Sequence, residues 1–103
     1  MSTYWVTFRI EDVTVGGRSY DDRYKAFYDA IKTRCQMWWL PPTSFVVFDS
    51  THDIDTLARA LRAALSEQHD LFLLGMTDFK SARIFGANND QDIYKLIPFL
   101  KKA

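Results

Sequence analysis

The sequence predicts a single α+β domain over residues 1–103, and three observations carry that prediction. Two short apolar runs, residues 45–48 and 71–74, contain no polar side chain. An amphipathic helical pattern lies between these two runs. Apolar residues occupy every second position from Tyr4 to Ile10, which is the period of a strand with one covered face. The chain therefore combines strands and helices around one small core.

The first strand, residues 4–10, leads through a glycine-containing turn into the first helix. Ser19 followed three residues later by Asp22 is typical of a helix N-cap with an acidic third position. From there the apolar positions recur at spacings of three and four residues as far as Cys35. This spacing predicts a helix with one apolar stripe that packs on the sheet.

Three further strands and a second helix follow. Residues 37–40 form a short strand that two prolines end, because proline cannot donate to a strand ladder. Residues 44–49 form the third strand, residues 54–68 the second amphipathic helix, and residues 70–77 the fourth strand. The order strand, helix, strand, strand, helix, strand is that of the split βαβ, or ferredoxin-like, sandwich.

The C-terminal quarter adds elements to this arrangement. Residues 82–85 predict a short fifth strand. Residues 90–100 predict a terminal helix with Ile93 and Leu96 on its apolar side, which Pro98 disturbs. We therefore expect a ferredoxin-like α+β fold with an added C-terminal strand and helix.

The unalternating apolar runs predict a homodimer. A ferredoxin-like sheet carries helices on one face only, whereas a strand that is apolar at every position needs both faces out of water. The second face is therefore expected to meet a second copy of the chain across a two-fold axis. The expected interface residues are Trp5, Thr7, Val46, Phe48, Phe72 and Leu74.

Composition restricts the compartment and the partners. Thirteen basic and thirteen acidic residues cancel, so no global field favours nucleic acid or an anionic membrane. The single Cys35 excludes a disulfide framework and a thiolate-rich zinc site. We see neither a secretory pattern at the N-terminus nor an apolar run that would span a membrane. These observations predict a cytoplasmic protein that needs no metal or other cofactor.

Several stretches together resemble a known group of proteins. They are residues 5–10, the Trp38-Trp39 pair, residues 43–47, and the second helix with the 70–74 strand that follows it. They are similar to the small CRISPR adaptation subunit and VapD-type toxins, and more so to short bacterial proteins described as SinR-like, whose role is unknown. The resemblance spans roughly residues 3–78 and implies a dimeric ferredoxin-like fold.

The resemblance also implies where a nuclease site would lie. In adaptation subunits the first strand ends in a tyrosine-aspartate pair, and that aspartate is proposed to hold a divalent metal. Here the matching pair is Phe8-Arg9, and an arginine cannot ligate a metal. Glu11 and Asp12 are the nearest carboxylates, and they are the candidates for an alternative site that would use magnesium or manganese.

Four basic residues are the candidates for a nucleic-acid interface: Arg9, Arg18, Arg23 and Lys25. Alternation places Arg9 on the open face of the sheet, where two copies would form a phosphate clamp. The competing reading pairs Arg9 with Asp49 or Asp78 across the interface. The three tryptophans suit packing better than base stacking, since no RNA-binding strand signature accompanies them.

These expectations lead to one hypothesis and two alternatives. The hypothesis is a dimeric binding or scaffolding module, with nucleic acid as the ligand class and no catalytic activity. The first alternative is a metal-dependent endoribonuclease of the toxin or CRISPR-adaptation type. The second is a structural partner for another protein.

Overall fold

A computed structural model describes all 103 residues as one α+β fold with six strands and three helices. The elements in chain order are β1 (Ser2–Arg9), α1 (Tyr20–Lys32), β2 (Trp38–Trp39), β3 (Phe45–Ser50), α2 (Ile54–Ala64), β4 (Leu71–Met76), β5 (Ala82–Gly86), α3 (Asp92–Leu96) and β6 (Leu100–Lys102).

One mixed sheet contains all six strands, in the order β2-β3-β1-β4-β5-β6. Every neighbouring pair is antiparallel except β5 and β6, which run parallel. The central strand β1 pairs with β3 on one side and β4 on the other, so the three longest strands lie side by side. β2 and β6, at the two edges, have only two and three residues.

The main core lies between the sheet and the two longer helices, α1 and α2. Phe27 and Ile31 of α1 and Leu57 and Leu61 of α2 are buried there. The same core contains four residues that were expected at a dimer interface: Val46, Phe48, Phe72 and Leu74. Each is at most 2% exposed, so these side chains cannot line a surface of the folded chain. The expected interface is therefore wrong for these four residues.

The opposite face, which we call the open face, is covered over only half of its width. Ala82, Ile84 and Leu100 form a second buried cluster there, against Ile93 and Ile97 from the α3 segment. The expectation that helices cover only one face is therefore wrong for the β4–β5 half. The predicted terminal helix ends at Leu96, two residues before Pro98, and the chain returns as β6.

Helix ends follow hydrogen bonds that periodicity does not show. The predicted capping box of α1 is confirmed, since the Ser19 hydroxyl accepts from the Asp22 amide at 3.0 Å and the Asp22 carboxylate accepts from the Ser19 amide at 2.9 Å. α2 ends at Ala64, four residues earlier than expected, because Leu65 is extended. The longest helix has 13 residues, and none is both long and apolar enough to traverse a bilayer.

Candidate functional site

The uncovered half of the open face carries an aromatic patch of Trp5, Trp39, Phe45 and Val47. Sheet register places Val47 between Trp39 on β2 and Trp5 on β1. The rings of Trp39 and Phe45 meet edge to face with centroids 6.5 Å apart. Trp39 is 51% exposed, whereas its neighbour Trp38 faces the helices and packs edge to face on Tyr28. The patch therefore leaves apolar side-chain surface exposed to solvent, most of all at Trp39.

Trp5 owes its position to a glycine on the next strand. Gly75 is its partner in the β1–β4 register, and the indole lies directly over the glycine backbone. A Cβ placed at Gly75 would lie 2.3 Å from the indole Cζ2. Only glycine leaves room for the indole at this position, so Gly75 allows the Trp5 ring to lie close against the open face.

Between the sheet and α3 lies a second feature of the open face, which we call the α3 groove. It has a volume of about 370 Å³. Leu71, Leu73 and Ile84 of the sheet form its floor, and Ile93 and Leu96 of α3 form one wall. Leu96 is 77% exposed, so the groove opens to solvent along this wall.

Charged side chains line the same groove. Arg9 lies exposed at the end of β1, and its Nη2 is 3.5 Å from the Ala87 carbonyl oxygen, which brings the guanidinium to the loop before α3. Asp90 and Asp92, which follow in this loop and the first turn of α3, also line the groove and are exposed. None of the three has an ion-pair partner within 4.0 Å. The pairing of Arg9 with Asp49 or Asp78 is not seen within this chain.

Arg23, the third nucleic-acid candidate, is buried instead of exposed. It is 1% exposed and forms an ion pair with Asp70, whose side chain is fully buried, with Nε 3.0 Å from Oδ2. The remaining guanidinium hydrogens are donated to Asp70 Oδ1 and to the carbonyl oxygens of Glu11, Val13 and Arg18. The assignment of Arg23 to a binding surface is therefore wrong.

Asp70 completes the network from its own side. Its Oδ1 accepts from the Glu11 amide at 3.0 Å and its Oδ2 from the Ser66 amide at 2.8 Å. With the bonds from Arg23, both carboxylate oxygens are fully used. The pair joins the β1–α1 loop, the α2–β4 loop and α1, and its role is structural.

The other two basic candidates do not join Arg9. Arg18 donates to the Ala64 carbonyl oxygen at 2.6 Å and so caps the C-terminal end of α2. Lys25 lies on the exposed side of α1, 3.9 Å from Asp29. Because α1 packs on the face opposite the α3 groove, the four expected residues do not form one basic surface.

The carboxylates of the nuclease alternative lie in the loop after β1. Glu11 Oε2 is 3.1 Å from His69 Nδ1 at the surface, and Asp12 is exposed nearby in sequence. No group of three or more histidine, cysteine, aspartate or glutamate side chains is arranged to hold a metal ion. Glu11 and His69 thus form a two-residue contact without a third ligand.

Cys35 and Asp49 illustrate how the surroundings set protonation. Burial, with a further contribution from the nearby Asp49 charge, raises the pKa of the Cys35 thiol, which disfavours the nucleophilic thiolate. Asp49 Oδ1 accepts from the amides of Met37 and Gln36, both at 2.9 Å, and these bonds hold the pKa of Asp49 below its ordinary value. Asp49 therefore holds the two residues that precede β2 against the end of β3.

Comparisons with protein-family models, curated proteins and solved structures return no match for this chain.

Proposed function

We propose that this chain is a ferredoxin-like binding module that works as a homodimer, with the aromatic patches of two copies packed against each other. The sheet order β2-β3-β1-β4 with antiparallel neighbours, and two helices on one face, support the ferredoxin-like assignment. The half-exposed Trp39 beside Phe45 is the observation that carries the dimer. Exposed apolar patches of this kind mark interaction sites.

A second copy is the favoured occupant because of charge and shape. The aromatic patch contains no ionised side chain, and the chain has no net charge, so two copies do not repel each other. Both sheet edges are poor templates for strand addition. β2 is two residues long and two prolines follow it closely, while β6 carries the exposed Lys101 and Lys102. Face-to-face packing is therefore the favoured mode of association.

Burial of Trp39 alone provides a useful magnitude. Burying its exposed half, 51% of the residue, removes roughly 100 Å² of apolar surface, worth about 2 kcal/mol. A two-fold axis counts that contribution twice, so the two Trp39 side chains would supply about 4 kcal/mol, or roughly a thousandfold in the dissociation constant.

The alternatives have weaker support. Of the four basic candidates for nucleic acid, only Arg9 lies on the open face, and affinity for a polyanion needs several phosphate contacts. For an endoribonuclease, Glu11 has His69 as its neighbour but no third ligand for magnesium or manganese. An unrelated protein partner would use the same patch as a second copy.

The test is sedimentation velocity over a wide range of protein concentrations, on the wild-type chain and on Trp39→Ala. The monomer has a mass of 12.0 kDa, and we expect the wild type to approach twice that mass as its concentration rises. Trp39→Ala should shift the dissociation constant about a thousandfold towards monomer. Phe79→Ala is the matched control, because Phe79 is 64% exposed in the β4–β5 turn, outside the aromatic patch.

The Phe79→Ala control distinguishes a specific interface from nonspecific association of exposed apolar side chains. A wild-type protein that stays monomeric throughout the range would overturn the dimer, as would equal effects of Trp39→Ala and Phe79→Ala. Labelled RNA and DNA are titrated in parallel at low and high salt. If the chain binds RNA or DNA tightly and with strong salt dependence, and Arg9→Ala removes that binding, nucleic-acid binding would become the favoured function.

A further inference from the structure

The α3 groove combines an apolar interior with charges of both signs. Its floor of Leu71, Leu73 and Ile84 offers no hydrogen-bonding side chain to a ligand. Its volume of about 370 Å³ lies near the lower end of the range for small-molecule sites. The groove belongs to a single copy of the chain, so its properties do not depend on the proposed dimer.

The charged groups at the groove lack partners of their own. Arg9 has only the long contact to the Ala87 carbonyl oxygen, although its guanidinium is built to hold a carboxylate through two parallel hydrogen bonds. Asp90 and Asp92 line the same groove, and neither is engaged by a basic side chain. A ligand that pairs with them must therefore present both an anionic and a cationic group.

The loop that carries these acids is held in place by its own hydrogen bonds. The Asp90 amide donates to Asn88 Oδ1 at 3.2 Å, and the Asp92 amide donates to Asp90 Oδ1 at 3.0 Å. One oxygen of Asp90 and the whole carboxylate of Asp92 have no hydrogen-bond donor within the chain. These oxygens are available to an ammonium group.

From this combination we infer that the α3 groove binds a free apolar α-amino acid, of the size of leucine or phenylalanine. The ligand's carboxylate would bind the Arg9 guanidinium, and its ammonium group would bind Asp90 and Asp92. Its side chain would lie on Leu71 and Leu73. The inference goes beyond the proposed dimeric binding role, since it assigns a small-molecule ligand to a separate part of the open face.

The test is a titration followed in two-dimensional amide NMR spectra, with L-leucine, hexanoate and hexylamine as three separate probes. Hexanoate carries only the negative charge and hexylamine only the positive one. L-leucine should produce saturable shifts for amides of residues 71, 73, 84 and 93, and should bind more tightly than either singly charged probe. L-phenylalanine extends the series to a larger side chain.

Substitutions test which side chains bind the carboxylate and the ammonium group of the ligand. Arg9→Met and the double variant Asp90→Asn/Asp92→Asn should each weaken leucine binding at least tenfold, the loss expected for one charge-assisted hydrogen bond. Lys25→Met is the matched control, because it removes an exposed positive charge from the opposite face and should leave binding unchanged. The four charged side chains that these variants replace are all exposed, and unchanged amide spectra outside the groove would verify that the variants fold.

Three results would overturn the inference. Hexanoate binding as tightly as leucine would remove the role of the ammonium group, and leucine shifts that fail to saturate, or persist unchanged in Arg9→Met, would remove the site. The titration is repeated with Trp39→Ala. Leucine binding to that variant would support the groove even where sedimentation shows no dimer, so the two proposals fail separately.

Discussion

Replacement of the buried Arg23 by methionine should be among the most damaging substitutions in this chain. Methionine keeps much of the aliphatic volume but removes the charge, which leaves the Asp70 carboxylate at 0% exposure without a countercharge. Removing one partner of a buried ion pair costs about 3–5 kcal/mol. A domain of this length is stable by about 5–15 kcal/mol in total.

The uncompensated carboxylate dominates that cost. Arg23 also donates to the carbonyl oxygens of Glu11, Val13 and Arg18, but those residues lie in the β1–α1 loop, where water is able to replace the lost donors. Asp70 keeps the two amide hydrogen bonds that it accepts, which is too little to balance a buried charge. We therefore expect Arg23→Met to lower the free energy of unfolding by about 4 kcal/mol.

Urea unfolding at fixed protein concentration, followed by tryptophan fluorescence and extrapolated linearly to zero denaturant, measures this change. Lys25→Met provides the comparison on the same helix, since its ion pair with Asp29 is exposed and should contribute less than about 0.5 kcal/mol. The double variant Arg23→Met/Asp70→Asn should recover part of the loss, because no charge then remains buried. If Arg23→Met costs no more than Lys25→Met, the reasoning about this network is refuted.

Three further substitutions test other parts of the fold. Gly86→Ala should destabilise the chain by more than about 2 kcal/mol in the same urea assay, since Gly86 has φ +109° and a Cβ there would lie 1.8 Å from the Asp70 carbonyl oxygen; a loss below that would contradict the close approach. Gly75→Ala should displace the Trp5 ring and alter its fluorescence emission maximum, whereas an unchanged spectrum would show that the ring does not rest on the glycine. Asp49→Asn should reduce the loss of folding stability at low pH. The folded pKa of Asp49 is lowered, so the stability that its carboxylate contributes is complete above the unfolded pKa and is lost as pH falls through the folded pKa. Chemical unfolding from about pH 6 down to 2 measures this, and parallel profiles would argue against it.

Local sequence patterns predict the elements well where one face is wet and a cap is present. The alternation of residues 4–10 and the Ser19 cap of α1 place two elements to within a few residues. The unalternating runs are different, because an apolar residue at every position leaves open which side faces the helices. Val46 and Phe48 were expected on the open face, whereas the sheet register turns Phe45 and Val47 towards it.

The buried ion pair had a signal in the sequence that periodicity alone does not interpret. Arg23 lies three residues after Tyr20 and four before Phe27, and so belongs to the apolar stripe of α1. A charge on such a stripe requires a partner, and Asp70 directly precedes an apolar strand. The two are 47 positions apart, so only the fold shows that they meet.

The C-terminal segment shows another limit of sequence patterns. The apolar positions Ile93 and Leu96 were expected on one side of a helix, and the helix that forms has only five residues. Nothing in a pattern so short indicates which face of the sheet it covers. The α3 groove and the grouping of Arg9 with Asp90 and Asp92 therefore become visible only in three dimensions.

The hydrogen bonds that Asp70 accepts from the amides of Glu11 and Ser66 have a consequence for exchange with solvent deuterium. Both amides lie in loops, where exchange is ordinarily fast because local opening is easy. Here each amide donates to the Asp70 carboxylate, which is fully buried and paired with Arg23, so we expect these hydrogen bonds to break only when the surrounding core unfolds. The amides of Glu11 and Ser66 should therefore exchange only through global unfolding, so that their exchange rates report the stability of the entire domain from two loop positions.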